Sequence, residues 1–346
     1  MTLEQRIRRQ IEATGPIPFE VFMDLALYDP DAGFFTTGKL RSERGGDFLT
    51  SPEVSPLFGE TLARYVELER ERIGRPFEVV EVAAGSGSLI GPLRRAIDVE
   101  AWAVETSPAA RAALGAILDP ARVRSDLPDR IRGVVIANEL LDNLPMALAQ
   151  KVEGGWRERW VGVDEDRLSM IDAQPRVEVV DWLGAYAGEV PEGGWVEVQL
   201  NAGAWLRDVL HRLEAGSLLI FDYGDTAENL IPRRQDGTLR TYRAHHLGPH
   251  PLDEPGETDI TADVNFTALM TVSREAGVSV ELHRQDDFLT ELGLGDRLSA
   301  LRHAELGAAR SGEEMERLRL RSLKTEAETL LHPRGLGDFR VLLARK

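Results

Sequence analysis

The 346-residue chain holds 41 basic and 58 acidic side chains, a formal net charge of −17, with 42% apolar and 29% charged residues, the balance of a globular protein of one large or two ordinary domains. Such an excess of acid repels a phosphate backbone, so nucleic acid is not expected as a partner, whereas a cationic molecule or basic protein segment is favoured. With no cysteine there can be no disulfide, thiolate metal site or cysteine nucleophile, and no apolar run reaches the roughly 18 residues that membrane insertion needs.

The opening MTLEQRIRRQIEATG lacks the apolar core of a secretory signal and carries Glu4 and Glu12, which transit peptides avoid. It reads as an amphipathic helix, and the protein as cytoplasmic. Helices are expected over 1–13 and 18–28, separated by Gly15, Pro16 and Pro18, and residues 29–50 read as loop. From 53 to 72 apolar Val54, Leu57, Phe58, Leu62 and Tyr65 recur at helical spacing. Residues 1–75 therefore form an N-terminal helical extension, and 76–346 the main domain.

From residue 77 apolar runs alternate with helical patterns. Strands are expected at 77–83, 101–105, 121–126, 133–139 and 217–223, with two more at 278–285 and 339–345. The run GVVIANE is apolar without alternation, as a strand covered on both faces is. Strand–helix alternation implies an α/β, doubly wound, mainly parallel sheet of seven strands, with 339–345 antiparallel to its neighbours. Insertions fall at about 146–195, where WRERWVGVDEDRLSMID alternates like a hairpin, and at 286–332, which is helical in pattern.

In such a sheet ligands bind beyond the strand carboxyl ends. The first strand runs into VVEVAAGSGSLIG, residues 79–91, where Gly85 and Gly87 let backbone N–H groups approach a ligand, Ser86 lies between them, and the next helix offers its positive end. Glu105, twenty residues after Gly85, ends the second strand, where a carboxylate accepts ribose hydroxyls. The glycine spacing also resembles a dinucleotide fingerprint. Glu81 counts against that reading, since an acid at the turn repels a pyrophosphate but suits a cationic sulfonium and amino group. Ala83 fits the turn only if its φ stays negative.

The pattern of residues 79–87 resembles the first motif of S-adenosylmethionine (SAM) methyltransferases. A second stretch, GGDFLTSPEVSPLFGE at 45–60, together with DPDAGFF (29–35), ANELLDNLP (137–145), IFDYGD (220–225), GTLRTYRAH (237–245), DITADVNFTAL (259–269) and HPRGLGDFRVL (332–342), is similar in content and order to the MidA family. The resemblance covers nearly the whole chain. It implies a Rossmann-like methyltransferase sheet, SAM as cofactor, and a protein substrate presenting an accessible arginine.

An arginine acceptor stays protonated at neutral pH, and two carboxylates can grip it and localise its charge. Glu139 and Asp142, three apart at an expected helix start, are the catalytic pair on this reading. Asn138, Thr50 and Ser51 join Glu81, Gly85, Ser86, Gly87, Glu105 and Asp126 as cofactor contacts, with Glu53, Asp47 and Tyr223 on the substrate side. Thr50-Ser-Pro-Glu53 is equally a capping box for the following helix, and Asn138, Glu139 and Asp142 could simply cap one. No metal is expected at His245, His246 and His250, since no carboxylate spacing supports a site. Two other functions stay open: a non-catalytic assembly factor that keeps the fold, and an NAD(P)-dependent oxidoreductase.

Overall fold

The central strands are buried on both faces: Val79 and Val80, Val134 through Ala137, and Leu218 through Phe221 are all 0% exposed. Only helices on both sides of a sheet produce that pattern. The computed structural model describes residues 1–37, 50–233, 235–243 and 246–346. Its main sheet has strands β1 (Glu78–Val82), β2 (Glu100–Val104), β3 (Val123–Arg124), β4 (Ile131–Asn138), β5 (Leu213–Asp222), β6 (Ser279–Arg284) and β7 (Arg340–Arg345). Their order is β6-β7-β5-β4-β1-β2-β3, with β7 antiparallel to both neighbours and the other pairings parallel. The seven-stranded, mainly parallel, doubly wound sheet expected from the sequence is the one observed.

One face packs against helix Leu57–Ile73, through Phe58, Leu62 and Val66, and against the late helices Leu294–Ser311 and Glu314–Leu330. The other packs against Leu200–Arg212 and Phe266–Glu275, through Leu206, Val209, Leu269 and Val272. The helix expected over 53–72 is interrupted. Pro56 drives Ser55 into an extended conformation (φ −156°, ψ 138°), leaving a short turn Ser51–Val54 before the long helix, and the Ser55 hydroxyl accepts the Leu57 N–H at 3.2 Å.

A second, antiparallel sheet joins strands Ala147–Val152, Gly155–Asp164, Arg167–Ala173 and Trp195–Val198. The expected hairpin is its centre, turning at Glu165 and Asp166 with φ of 42° and 65°. The sequence did not reveal that Ile17–Pro18 adds a further strand, pairing with Val161 and Trp160. Helices Leu3–Thr14 and Phe19–Tyr28 pack on this sheet rather than the main one, with Ile7, Phe19, Phe22 and Met23 against Met146, Leu148 and Val161. Arg176 stitches the two parts, reaching Glu158 at 2.8 Å and Glu20 at 2.6 Å. The described residues of the first 75 are thus shared between two cores.

Candidate active site

A cleft of about 420 Å³ opens at the carboxyl ends of β1, β2 and β4, within the size range of small-molecule sites. Its floor is the turn after β1. Ala83, Gly85 and Gly87 there have φ of 54°, 51° and 82°. The expectation of a negative φ at Ala83 is therefore wrong: the chain keeps the left-handed turn and carries its strain, because Ala83 must leave β1 and reverse before Gly85. Left-handed geometry costs an L-residue about 1–2 kcal/mol, of which glycine's greater unfolded freedom gives part back. Ala83→Gly is expected to stabilise the protein by up to about 1 kcal/mol, read as a Tm higher by roughly 2 °C. A Tm that falls would show that the turn is unstrained.

Glu105 sits at the crossing of this turn and β2. One carboxylate oxygen accepts the Gly85 N–H at 2.9 Å and the other the Ser107 N–H at 2.8 Å. Each oxygen keeps a second lone pair for a hydroxyl in the cleft. Glu81 is 4% exposed and accepts the Ile90 N–H at 3.0 Å. It thereby occupies an N–H at the start of the next helix that the sequence reading had assigned to ligand. Burial pushes the Glu81 carboxyl well above its usual range, only partly offset by that N–H. Glu81 lines the cleft and anchors the start of the next helix. Gly87 does not line it: a Cβ there would lie 2.7 Å from Ile117 and 3.1 Å from Leu114, so this glycine serves close packing. Ser86 lines the cleft, its hydroxyl 2.6 Å from that of Ser88. Ser125 donates to Asp126 at 2.7 Å on the outer rim.

At the opposite wall Glu139 follows β4 with φ of 49°, and its N–H donates to the Phe221 carbonyl at 2.8 Å. Its carboxylate faces the cleft and accepts from the Ser51 N–H at 3.3 Å and the Asn138 amide at 3.1 Å. The left-handed backbone at Glu139 prevents a helix from starting there, so Glu139 and Asp142 do not share a helical face as expected. Asp142 lies in a short 3-10 turn, Leu141–Asn143, is 4% exposed and does not line the cleft. It accepts hydroxyl protons from Tyr223 and Thr261, both at 2.6 Å. Behind it the fully buried Asp222 accepts the N–H groups of Leu141 at 2.9 Å and Asp142 at 3.3 Å. Strained backbone of this kind persists where the surroundings over-determine it, often at functional positions.

Burial, reinforced by the charge of Asp142, pushes Glu139 up to about 8. A carboxyl raised on folding keeps its proton in the native state while the unfolded chain loses it, so stability falls as pH rises from about 4.3 to about 8. Glutamine mimics the protonated form. Glu139→Gln is therefore expected to match the wild type in thermal unfolding at pH 5 and exceed it at pH 9, by on the order of 1–2 kcal/mol after discounting for the open cleft. An equal gain at both values would place the effect in packing rather than charge.

The remaining sequence-derived residues separate clearly. Thr50 and Glu53 line the cleft and form the anticipated capping box, Glu53 accepting the Thr50 N–H at 3.0 Å. Ser51 is fully buried with its hydroxyl on Gln285, so it offers the site only its N–H. Tyr223 is turned inward onto Asp142 and does not line the cleft, contrary to its expected place on the substrate side. Asn138 lines it, with Oδ1 buried and unpaired. Asp47 and His245 lie outside the described residues, among which no group of three or more acids and histidines is placed to hold a metal. Nor is any helix among them long and apolar enough to cross a membrane.

The sequence reading missed Tyr28, Phe35 and Asn143 on the acid-lined wall, and Trp205, Asp208 and Arg212 beside Asp126. Spacings of three and four on helix Leu200–Arg212 put the last three on one face, a signal available in the sequence. Arg212 grips Asp208 through both carboxylate oxygens, at 2.9 and 3.0 Å.

A family model for S-adenosyl-L-methionine-dependent methyltransferases matches residues 61–283. The Xenopus tropicalis mitochondrial protein arginine methyltransferase NDUFAF7 is 29% identical over 84% of this chain and 75% of its own, and the Homo sapiens protein 28% identical over 84% and 73%. A methyl transferase-like protein from Burkholderia thailandensis, solved with S-adenosyl-homocysteine (SAH) bound, superposes with a TM-score of 0.88 at 31% identity, covering 99% of this chain and 92% of that one. The cytoplasmic expectation is overturned, because these curated relatives are named as mitochondrial. It rested on the composition of the first fifteen residues, which the fold uses as a packed amphipathic helix; such composition reports packing rather than address.

Proposed function

This chain belongs to the MidA-like family of SAM-dependent methyltransferases, and on that premise we propose that it methylates an arginine side chain of a protein substrate. The observation that carries the reading is Glu139: a carboxylate on strained backbone, facing the cleft from the wall opposite Glu105, with backbone and amide donors fixing its direction. The names of the curated relatives support the same acceptor.

The bound cofactor supplies a methyl carbon activated by a sulfonium. Glu105 would receive the ribose hydroxyls on its free lone pairs, with Gly85 holding the carboxylate in place. Glu139 accepts N–H groups of the guanidinium, localising charge away from the attacking nitrogen. That nitrogen forms a bond to the methyl carbon as the carbon–sulfur bond breaks, its electron pair passing to sulfur. The nitrogen then sheds a proton, and Glu139, poised near 8, is the base placed to take it. Asp142 acts from behind, its charge raising Glu139 while Tyr223 and Thr261 hold it. A nicotinamide oxidoreductase and a non-catalytic scaffold are not favoured, given the SAH-bound neighbour and the intact acids.

The test is transfer of labelled methyl from SAM to an extract of a strain lacking this protein, followed by acid hydrolysis. Label recovered as methylated arginine is expected; label recovered as methyl-lysine, or released as methanol from a hydrolysed ester, contradicts the acceptor.

A further inference from the structure

The wall that carries Glu139 is completed by the N-terminal segment. Tyr28 ends helix Phe19–Tyr28 and Phe35 lies in the turn beyond it; both line the cleft, with ring centres 5.6 Å apart and planes inclined by 26°. The turn between them is closely built. Asp29 accepts the N–H groups of Asp31 at 3.0 Å and Ala32 at 2.9 Å and pairs with Arg6 at 2.7 Å. The Phe34 and Phe35 N–H groups return to the carbonyls of Ala26 at 3.0 Å and Leu27 at 2.9 Å. A Cβ on Gly33 would come within 2.5 Å of the Asp29 backbone nitrogen, so only glycine closes the turn.

This construction sets the Phe34 and Phe35 rings edge to face, with centres 5.0 Å apart, at different depths. Phe34 is 0% exposed in the core, whereas Phe35 is left partly exposed against the cleft. Tyr28 and Phe35 both pack against the N-terminal core while reaching the cleft. The Tyr28 hydroxyl donates to the Asn143 carbonyl at 3.3 Å, which ties the ring pair to the turn that follows Glu139. Burial holds the Tyr28 phenol well above its usual range, so it stays a neutral donor. Glu53 and Glu139 stand on the same wall. An aromatic face beside carboxylates is the chemistry that recognises a flat organic cation, which stacks through its plane and donates through its edge.

We propose that Tyr28 and Phe35 form an aromatic platform on which the planar cationic group of the acceptor lies, with Glu139 receiving its edge. The N-terminal segment is then what gives the cleft its acceptor selectivity. The platform rests on the cationic-acceptor reading above, and its test is built to separate the two.

The experiment titrates N-acetyl-arginine amide and N-acetyl-lysine amide against the SAH-loaded full-length protein by saturation-transfer NMR, in wild type, Phe35→Leu and Phe35→Tyr. Leucine keeps apolar bulk and loses the π-face; tyrosine keeps both. The arginine probe is expected to bind wild type, to bind Phe35→Leu about five- to thirty-fold more weakly, and to bind Phe35→Tyr within twofold of wild type, with SAH affinity unchanged in all three. If the lysine probe binds wild type more tightly than the arginine probe and is weakened in Phe35→Leu, the rings stand as a cation-binding surface, while the planar-cation claim and the arginine assignment fall. Equal arginine-probe affinity in wild type and Phe35→Leu overturns the platform. So does a parallel loss of SAH affinity, which would assign the rings to the cofactor, or failure of both probes to bind wild type.

Discussion

Glu139→Gln is expected to keep fold and SAM affinity while lowering single-turnover methyl transfer by about 100- to 1,000-fold, the cost typical of losing one preorganised charged contact in a dry site. Glutamine preserves shape and can still accept the Ser51 N–H, so the cleft wall stays in place. Lost are the charge that fixes a guanidinium and the base that takes its proton. Asp142 cannot substitute, because it is buried, does not line the cleft, and has Oδ2 committed to Tyr223 and Thr261. Asp142→Asn is therefore expected to act through Glu139, whose elevated proton affinity owes part of its height to the Asp142 charge. Unchanged transfer in Glu139→Gln, measured with saturating SAM, would reduce Glu139 to a wall residue.

Glu105→Ala is expected to weaken SAM and SAH binding by roughly 10- to 150-fold, equivalent to about 1.5–3 kcal/mol for charged hydrogen bonds. Two losses combine. The ribose hydroxyls lose their acceptor, and the Gly85 and Ser107 N–H groups lose the carboxylate that positions the turn. Glu105→Gln separates them, since its amide oxygen can still accept one of the two N–H groups. Isothermal titration calorimetry on both variants reads the difference; unchanged SAM affinity in Glu105→Ala would remove Glu105 from the cofactor site.

The main sheet was legible because its physics is local. Uninterrupted apolar runs such as Val134–Ala137 can only be strands covered on both sides, and the helices between them leave parallel pairing as the solution. The position of Glu105 beside the Gly85 turn was legible for the same reason, being fixed by spacing along one strand–turn–helix–strand unit. The acceptor wall was not. Its form depends on a backbone conformation that residue identity does not announce, a left-handed Glu139, which breaks the helix that Glu139 and Asp142 were expected to share; the left-handed Ala83 in the cleft floor was hidden in the same way. It also depends on partners far apart in sequence. Tyr28 meets the Asn143 carbonyl 115 residues away, and Ile17–Pro18 joins a sheet whose other strands begin at Ala147. Periodicity carries no information about such pairings.

The central claim is that the acid-lined cleft transfers a methyl group to a cationic acceptor through Glu139. The pH profile of kcat/KM for methyl transfer to the arginine acceptor, from pH 6 to 9.5 in wild type and Glu139→Gln, tests it most directly, since it reports the ionisation of the free enzyme. Glu139 must be deprotonated to hold the cation, and the guanidinium keeps its charge throughout this range. The predicted result is a wild-type rate that climbs through a midpoint near 8 and then levels, against a low rate in Glu139→Gln with that step absent. The same ascending step in both proteins, at comparable rates, would contradict the account.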